Sequence, residues 1–215
     1  MRLKSAIFNC YTFLALGYGI TFNFTLNTSP AWSTKEVSQT KSQNSLLINH
    51  NQTIIASNLA LLPEAVDLVK NFEGFSASAY TDTNGLPVIG YGQTRINGQT
   101  VRLGQYITQA QANISLLKEL AHIQNLVKSH VQVDLNPHQL GALTSLVFNA
   151  GTVILTDSTL IRKLNAGDYI GAAQEFPRWN KADKKGQLVP FPGLTRRRLA
   201  EKKLFLTPYQ PIASN

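Results

Sequence analysis

The sequence predicts an α+β domain in which a short helix and a small antiparallel sheet precede a mainly helical lobe. Three observations predict it: a helical apolar pattern at 63–74, two Asn-Gly pairs close behind it, and a run of capped helical segments afterwards. In "PEAVDLVKNFEG", Ala65, Val66, Leu68, Val69 and Phe72 recur at helical spacing. Pro63 suits a first helical turn and Gly74 a C-terminal stop, so Glu73 becomes the last helical residue. Asn84-Gly85 and Asn97-Gly98 are strong hairpin signals and predict a three-stranded meander, with strands near 79–83, 86–91 and 99–102. Pro87 requires an irregular or open side in the middle run.

The remaining elements are helical. Thr108 with Gln111 reads as a capping box that opens a long helix to about His130. Asn136-Pro137 opens the next, with Leu140, Leu143, Val147 and Phe148 on its buried side and Gly151 at its end. Ser158 precedes a short helix stopped near Gly167, Asp168 caps "YIGAAQEF", and a last helix runs from about Gly193 to Phe205. A cleft is expected where the sheet meets the helices.

Around this domain, 61–206, lie segments of different composition. Residues 1–31 read as a signal peptide or membrane anchor. Arg2 and Lys4 start it, an apolar stretch follows from Ala6 to about Leu26, and Ser29-Pro30-Ala31 offers a cleavage site. Cleavage there is the favoured outcome; if uncut, the stretch is long enough to tether the chain, since roughly 20 apolar residues span a bilayer. Residues 32–60, rich in Ser, Thr, Asn and Gln, read as a polar linker, and 207–215 as a flexible tail. Cys10, the single cysteine, lies in the signal segment, so a mature form cut after Ala31 needs no disulfide.

The 215 residues carry 20 Lys and Arg against 12 Asp and Glu, a net charge of +8 that favours polyanionic partners. A cluster of nine cations (Arg178, Lys181, Lys184, Lys185, Arg196, Arg197, Arg198, Lys202 and Lys203) faces only Asp183 and Glu201. It reads as a solvated face or one drawn to an anionic wall. No recognition-helix or aromatic-interleaved pattern accompanies it, so nucleic acid is not expected as a partner. His50, His122, His130 and His138 lack metal-ligand spacing, and no phosphate loop or nucleophile elbow occurs, so neither a metal nor a cofactor is expected. Trp179 is expected in the core.

Two acids stand out in "NFEGFSASAYTDTNGLPVIGYGQT", residues 71–94. Glu73, at a helix C-terminus between Phe72 and Phe75, is in surroundings that disfavour its ionised form. Asp82, in a hairpin near turn amides, is in surroundings that favour it. One protonated acid facing one carboxylate is what cleavage of a glycosidic bond needs. The same two residues also suit an ordinary helix end and an ordinary turn. Gly90-Tyr91-Gly92 reads as a tight return after the hairpin, with Tyr91 either packed or touching sugar.

The string "FEGFSASAYTDTNGLPVIGYGQT" resembles the active-site hairpin of phage-type lysozymes, or endolysins, of glycoside hydrolase family 24. "LGQYITQAQANISLLKEL", "HQLGALTSLVFNAGT", "STLIRKLNAGDYIGAAQEFPRWNKA" and "PGLTRRRLAEKKLFL" extend the resemblance across about 62–206. It implies a lysozyme-like fold and an exported, monomeric enzyme, periplasmic or extracellular. The implied activity is cleavage of the β-1,4 bond between N-acetylmuramic acid and N-acetylglucosamine in bacterial peptidoglycan. Glu73 would protonate the leaving oxygen; Asp82 would position water or stabilise the transition state. Val88, Tyr91 and Gln93 would line the substrate site.

Two positions depart from the family pattern: its Thr is Val88 here and its His is Gln93. A valine has the shape of threonine without the hydroxyl that would hold water. Three outcomes are open, in this order of expectation: a lysozyme relying on Asp82 alone, a wall-binding protein without turnover, or a lytic transglycosylase in which the muramyl hydroxyl replaces water.

Overall fold

The computed structural model describes residues 60–210 except Asn84 and Lys185. The signal segment, all but the last residue of the polar linker, and 211–215 of the tail lie outside the described residues. Helix α1 spans Pro63–Glu73, begins with Pro63 in its first turn and ends at Gly74, whose amide donates to the Lys70 carbonyl. Strands β1 (Ser76–Thr81) and β2 (Pro87–Gly90) pair antiparallel, with Tyr80 opposite Val88 and a bulge between Ser76 and Tyr80. Strands β3 (Arg95–Ile96) and β4 (Gln99–Thr100) form a second small hairpin around Asn97-Gly98. The expected three-stranded meander is therefore divided. Its first hairpin stands apart from the second, and residues 101–107 return along the outer edge of β1 instead. There Ala79 N–H donates to the Gln105 carbonyl and Ile107 N–H to the Ala77 carbonyl.

Helix α2, Gln109–His130, opens with the reciprocal Thr108–Gln111 capping box and, at 22 residues, is about 33 Å long. Helix α3, Pro137–Ala150, opens with the same device between Asn136 and Gln139 and ends at Gly151. Three short helices follow: α4 (Val153–Asp157), α5 (Thr159–Asn165, capped by Ser158) and α6 (Tyr169–Glu175, capped by Asp168). A 3-10 turn at Phe176–Trp179 leads into a hairpin that the apolar pattern does not announce, β5 (Lys181–Lys184) with β6 (Gln187–Pro190). Helix α7, Pro192–Leu206, closes the domain. No helix among the described residues is long and apolar enough to cross a membrane.

Two apolar clusters share α2. Its first half places Leu116, Leu117 and Leu120 against Val66, Val69, Ile89 and Tyr91, joining α1 to the hairpin. Its second half places Ile123 and Val127 among Leu143, Leu146, Leu160, Phe176 and Phe205 of the helical lobe, with Trp179 packed alongside as expected. Each buried Leu or Phe side chain contributes about 1.5–3 kcal/mol relative to exposure. The start of the tail is less loose than its prolines suggest. The Tyr209 ring lies edge-on to His138 at 5.3 Å, and the His138 ring nitrogen is 3.1 Å from the Thr207 carbonyl.

Candidate active site

Glu73 closes α1 where the hairpin begins, and its carboxylate is turned inward, with the side chain 12% exposed. Arg197 on α7 donates through a terminal nitrogen to Glu73 Oε1. Gly92 approaches the other oxygen: a Cβ on Gly92 would lie 3.8 Å from Glu73 Oε2. The two oxygens thus have different surroundings. One is anchored by a cation; the other faces the return of the hairpin.

Arg197 is held from several sides. Its Nε donates to Glu201 Oε1 at 3.0 Å, and its guanidinium lies 5.7 Å above the Phe72 ring. Glu201 also accepts from Ser145 Oγ at 2.7 Å and from Arg198 at 2.9 Å, and Arg198 donates to Asn149 Oδ1 at 2.9 Å. Arg198 Nε is a further 2.8 Å ion-pair contact to Glu201 Oε2, without hydrogen-bond alignment. Arg198 and Glu201 are fully buried and Arg197 nearly so. Burial pulls the Arg198 guanidinium down to about 10, the nearby Arg197 charge pulls the same way, and the Glu201 carboxylate resists.

This arrangement corrects the expectation that the basic cluster is one solvated face. Arg197 and Arg198 belong to the interior, while Arg178, Lys181, Lys184, Arg196 and Lys203 are exposed. The spacing that could have revealed them is Arg197–Glu201 and Arg198–Glu201, at i,i+4 and i,i+3 on a helix. That spacing acquires meaning only beside the polar face of α3, with Ser145 and Asn149.

Asp82 sits at the hairpin turn. Leu86 N–H donates to its Oδ1 at 2.8 Å, the turn amide expected beside it, and its own N–H donates to the Leu86 carbonyl. Burial first, then the Glu73 and Asp82 charges, raise the Tyr80 phenol above its ordinary pKa.

The other three candidates lie inside the protein. Val88, Tyr91 and Gln93 are 2%, 3% and 2% exposed. The Tyr91 hydroxyl donates to Asn113 Oδ1 on α2 at 2.8 Å, and the ring lies tilted against Phe75 at 5.7 Å. Gln93 Oε1 accepts weakly from Tyr91 N–H, while its Nε2 has no partner among the described residues. Gly90 is required by this packing, with φ of 66° and a Cβ that would meet Gln93 Oε1 at 2.6 Å and the Ala112 methyl at 3.0 Å. The Tyr91 hydroxyl therefore fixes the hairpin on α2, while Gln93 Oε1 bonds only within the return itself.

Glu73 thus stands at a helix end and Asp82 at the turn of the adjoining hairpin, beside a mainly helical lobe. The family model described as phage lysozyme matches residues 70–201, and the chain belongs to the phage lysozyme family. It is 43% identical over 138 residues to the endolysin of Acyrthosiphon pisum secondary endosymbiont phage 1, covering 64% of this chain and 92% of that protein. It is 34% identical over 152 residues to the SAR-endolysin of Enterobacteria phage P21, covering 71% and 86%. Among solved structures, the endolysin from Escherichia coli O157:H7 phage FAHEc1 superposes with a TM-score of 0.65 at 36% identity, covering 71% and 96%. The muramidase domain of SpmX from Asticaccaulis excentricus gives 0.63 at 35% identity, covering 69% and 98%. The protein is a lysozyme-type glycosidase that hydrolyses peptidoglycan.

Proposed function

We propose that Glu73 is the general acid and Asp82 the carboxylate that directs water in cleavage of the N-acetylmuramic acid–N-acetylglucosamine β-1,4 bond. The observation that carries this reading is the unequal environment of the two Glu73 oxygens. With Oε1 bound by Arg197, Oε2 is the oxygen available to carry a proton to the leaving sugar. Once that proton has moved, the Arg197 guanidinium faces the carboxylate left behind, so no charge is stranded as the bond breaks. Asp82, its Oδ1 oriented by the Leu86 amide, takes a proton from water attacking the anomeric carbon.

Tyr91 and Gln93 act at one remove in this scheme. Tyr91 holds the Gly90–Gly92 return against α2 through Asn113, Gln93 bonds within that return, and the return approaches Glu73. The exposed cations draw the enzyme to the anionic wall. We infer export from the N-terminal signal pattern, with the SAR-endolysin named among its relatives in support, and action as a monomer without metal or cofactor. Asp82→Asn tests the second role. Clearing of a peptidoglycan suspension should slow by about 100-fold or more, with unfolding unchanged to within about 1 kcal/mol. Undiminished clearing would remove Asp82 from the mechanism.

A further inference from the structure

Water attacking a sugar carbon has two hydrogens to place and one lone pair to aim. Asp82 accepts one hydrogen in the scheme above, and a second acceptor is needed to fix the direction of the lone pair. Val88 offers only methyl groups. Its partner across the hairpin is Tyr80, directly opposite in the β1–β2 register. Tyr80 is the penultimate residue of β1, and Asp82 follows it by two residues where the strand enters the turn. The pairing continues past Tyr80–Val88 to Asp82, whose N–H donates to the Leu86 carbonyl while Leu86 N–H donates to the Asp82 carboxylate.

Tyr80 is 37% exposed, so part of it is packed and part meets water. Among the described residues no hydrogen bond engages its hydroxyl. We propose that the Tyr80 hydroxyl is the second hydrogen-bonding group for the nucleophilic water, beside Asp82, on the side of the hairpin where Val88 has none. This rests on the Glu73–Asp82 reading and adds a residue to it.

In the step, the bond from water oxygen to the anomeric carbon forms as the glycosidic bond breaks. The Glu73 proton goes to the leaving oxygen, Asp82 takes one water proton, and the phenol oxygen accepts a hydrogen bond from the other. Tyr80 undergoes no net change. Burial first, then the charges of the two acids when ionised, raise the phenol above its ordinary pKa, so it is a neutral hydroxyl during the step. A hydroxyl is also suited to holding water because it both donates and accepts.

The test is Tyr80→Phe in the full-length protein, assayed on soluble, uncrosslinked glycan strands so that kcat and KM separate. The expected result is kcat lower by about 10–100-fold, KM within about twofold, and an unchanged circular dichroism spectrum. Adding Val88→Thr to Tyr80→Phe puts a hydroxyl on the facing strand, and should restore kcat by a larger factor than Val88→Thr alone raises it. Unchanged kcat in Tyr80→Phe would overturn the proposal. So would a loss shared by kcat and KM that Val88→Thr leaves untouched, since that marks ring packing or a sugar contact. Glu73→Gln and Asp82→Asn run alongside. If they retain activity, the underlying reading falls; if they are inactive while Tyr80→Phe is not, only the Tyr80 assignment falls.

Discussion

Glu73→Gln should lower peptidoglycan cleavage by about 100- to 10,000-fold, the contribution typical of a positioned general acid. The substitution keeps the side-chain shape and keeps an oxygen able to accept from Arg197, so the protein should still fold. Arg197 retains Glu201 as a charged partner, and the pair at α7 does not depend on Glu73 for its position. The loss should therefore fall on kcat while binding to walls persists. Sedimentation with purified walls, run beside the turbidity assay, separates the two quantities. If the Glu73→Gln protein bound walls and cleared them at the normal rate, the proton would have to come from elsewhere.

Glu201→Gln should have the largest effect on stability. The carboxylate is fully buried between two guanidiniums and also accepts from Ser145. Gln has nearly the same volume, so no cavity forms, and the change isolates the charge. Two cations would then remain in the interior with Glu73 as the nearest acid, and breaking a buried ion pair from one side costs about 3–5 kcal/mol. Denaturant unfolding measures this as a lower midpoint with the slope preserved. Activity should fall with it in the folded fraction, because the bond that aims Arg197 at Glu73 is no longer charge-assisted by a carboxylate. A midpoint within experimental error of the parent would mean that the network is not a structural support.

The elements legible in the sequence are those with local causes. Glu73 ends its helix because Gly74 follows with φ of 69°, and the boxes at Thr108–Gln111 and Asn136–Gln139 are closed within four residues. Strand grouping is not legible, because pairing depends on contacts distant in sequence. β1 takes its second neighbour from residues 105–107 and not from β4, as the Ala79–Gln105 bond records. The β5–β6 hairpin has a local signal that apolar patterning misses. Asp183 accepts from the Gly186 amide at 2.9 Å, and Gly186 has φ of 83°, but its strands are polar and mostly exposed.

The candidate site divides in the same way. Glu73 and Asp82 are visible as two acids in a segment otherwise poor in charge, with a helix end and a turn to distinguish them. Arg197 is hidden among adjacent cations, because burial of an arginine is decided by what another helix brings to meet it. Tyr91 and Gln93 are marked out by their place in the motif, yet both are buried, the Tyr91 hydroxyl on the helix and Gln93 Oε1 on the Tyr91 amide. Val88 is conspicuous for the hydroxyl it lacks. Tyr80 is not, because its relation to Val88 exists only in the strand register.

The most direct measurement is mass spectrometry of purified peptidoglycan digested by the protein. The account predicts muropeptides ending in reducing N-acetylmuramic acid, with one oxygen from labelled water at the new end. Anhydro-muramyl ends free of label would contradict it, since the attacking oxygen would then come from the sugar and Asp82 would have no water to direct.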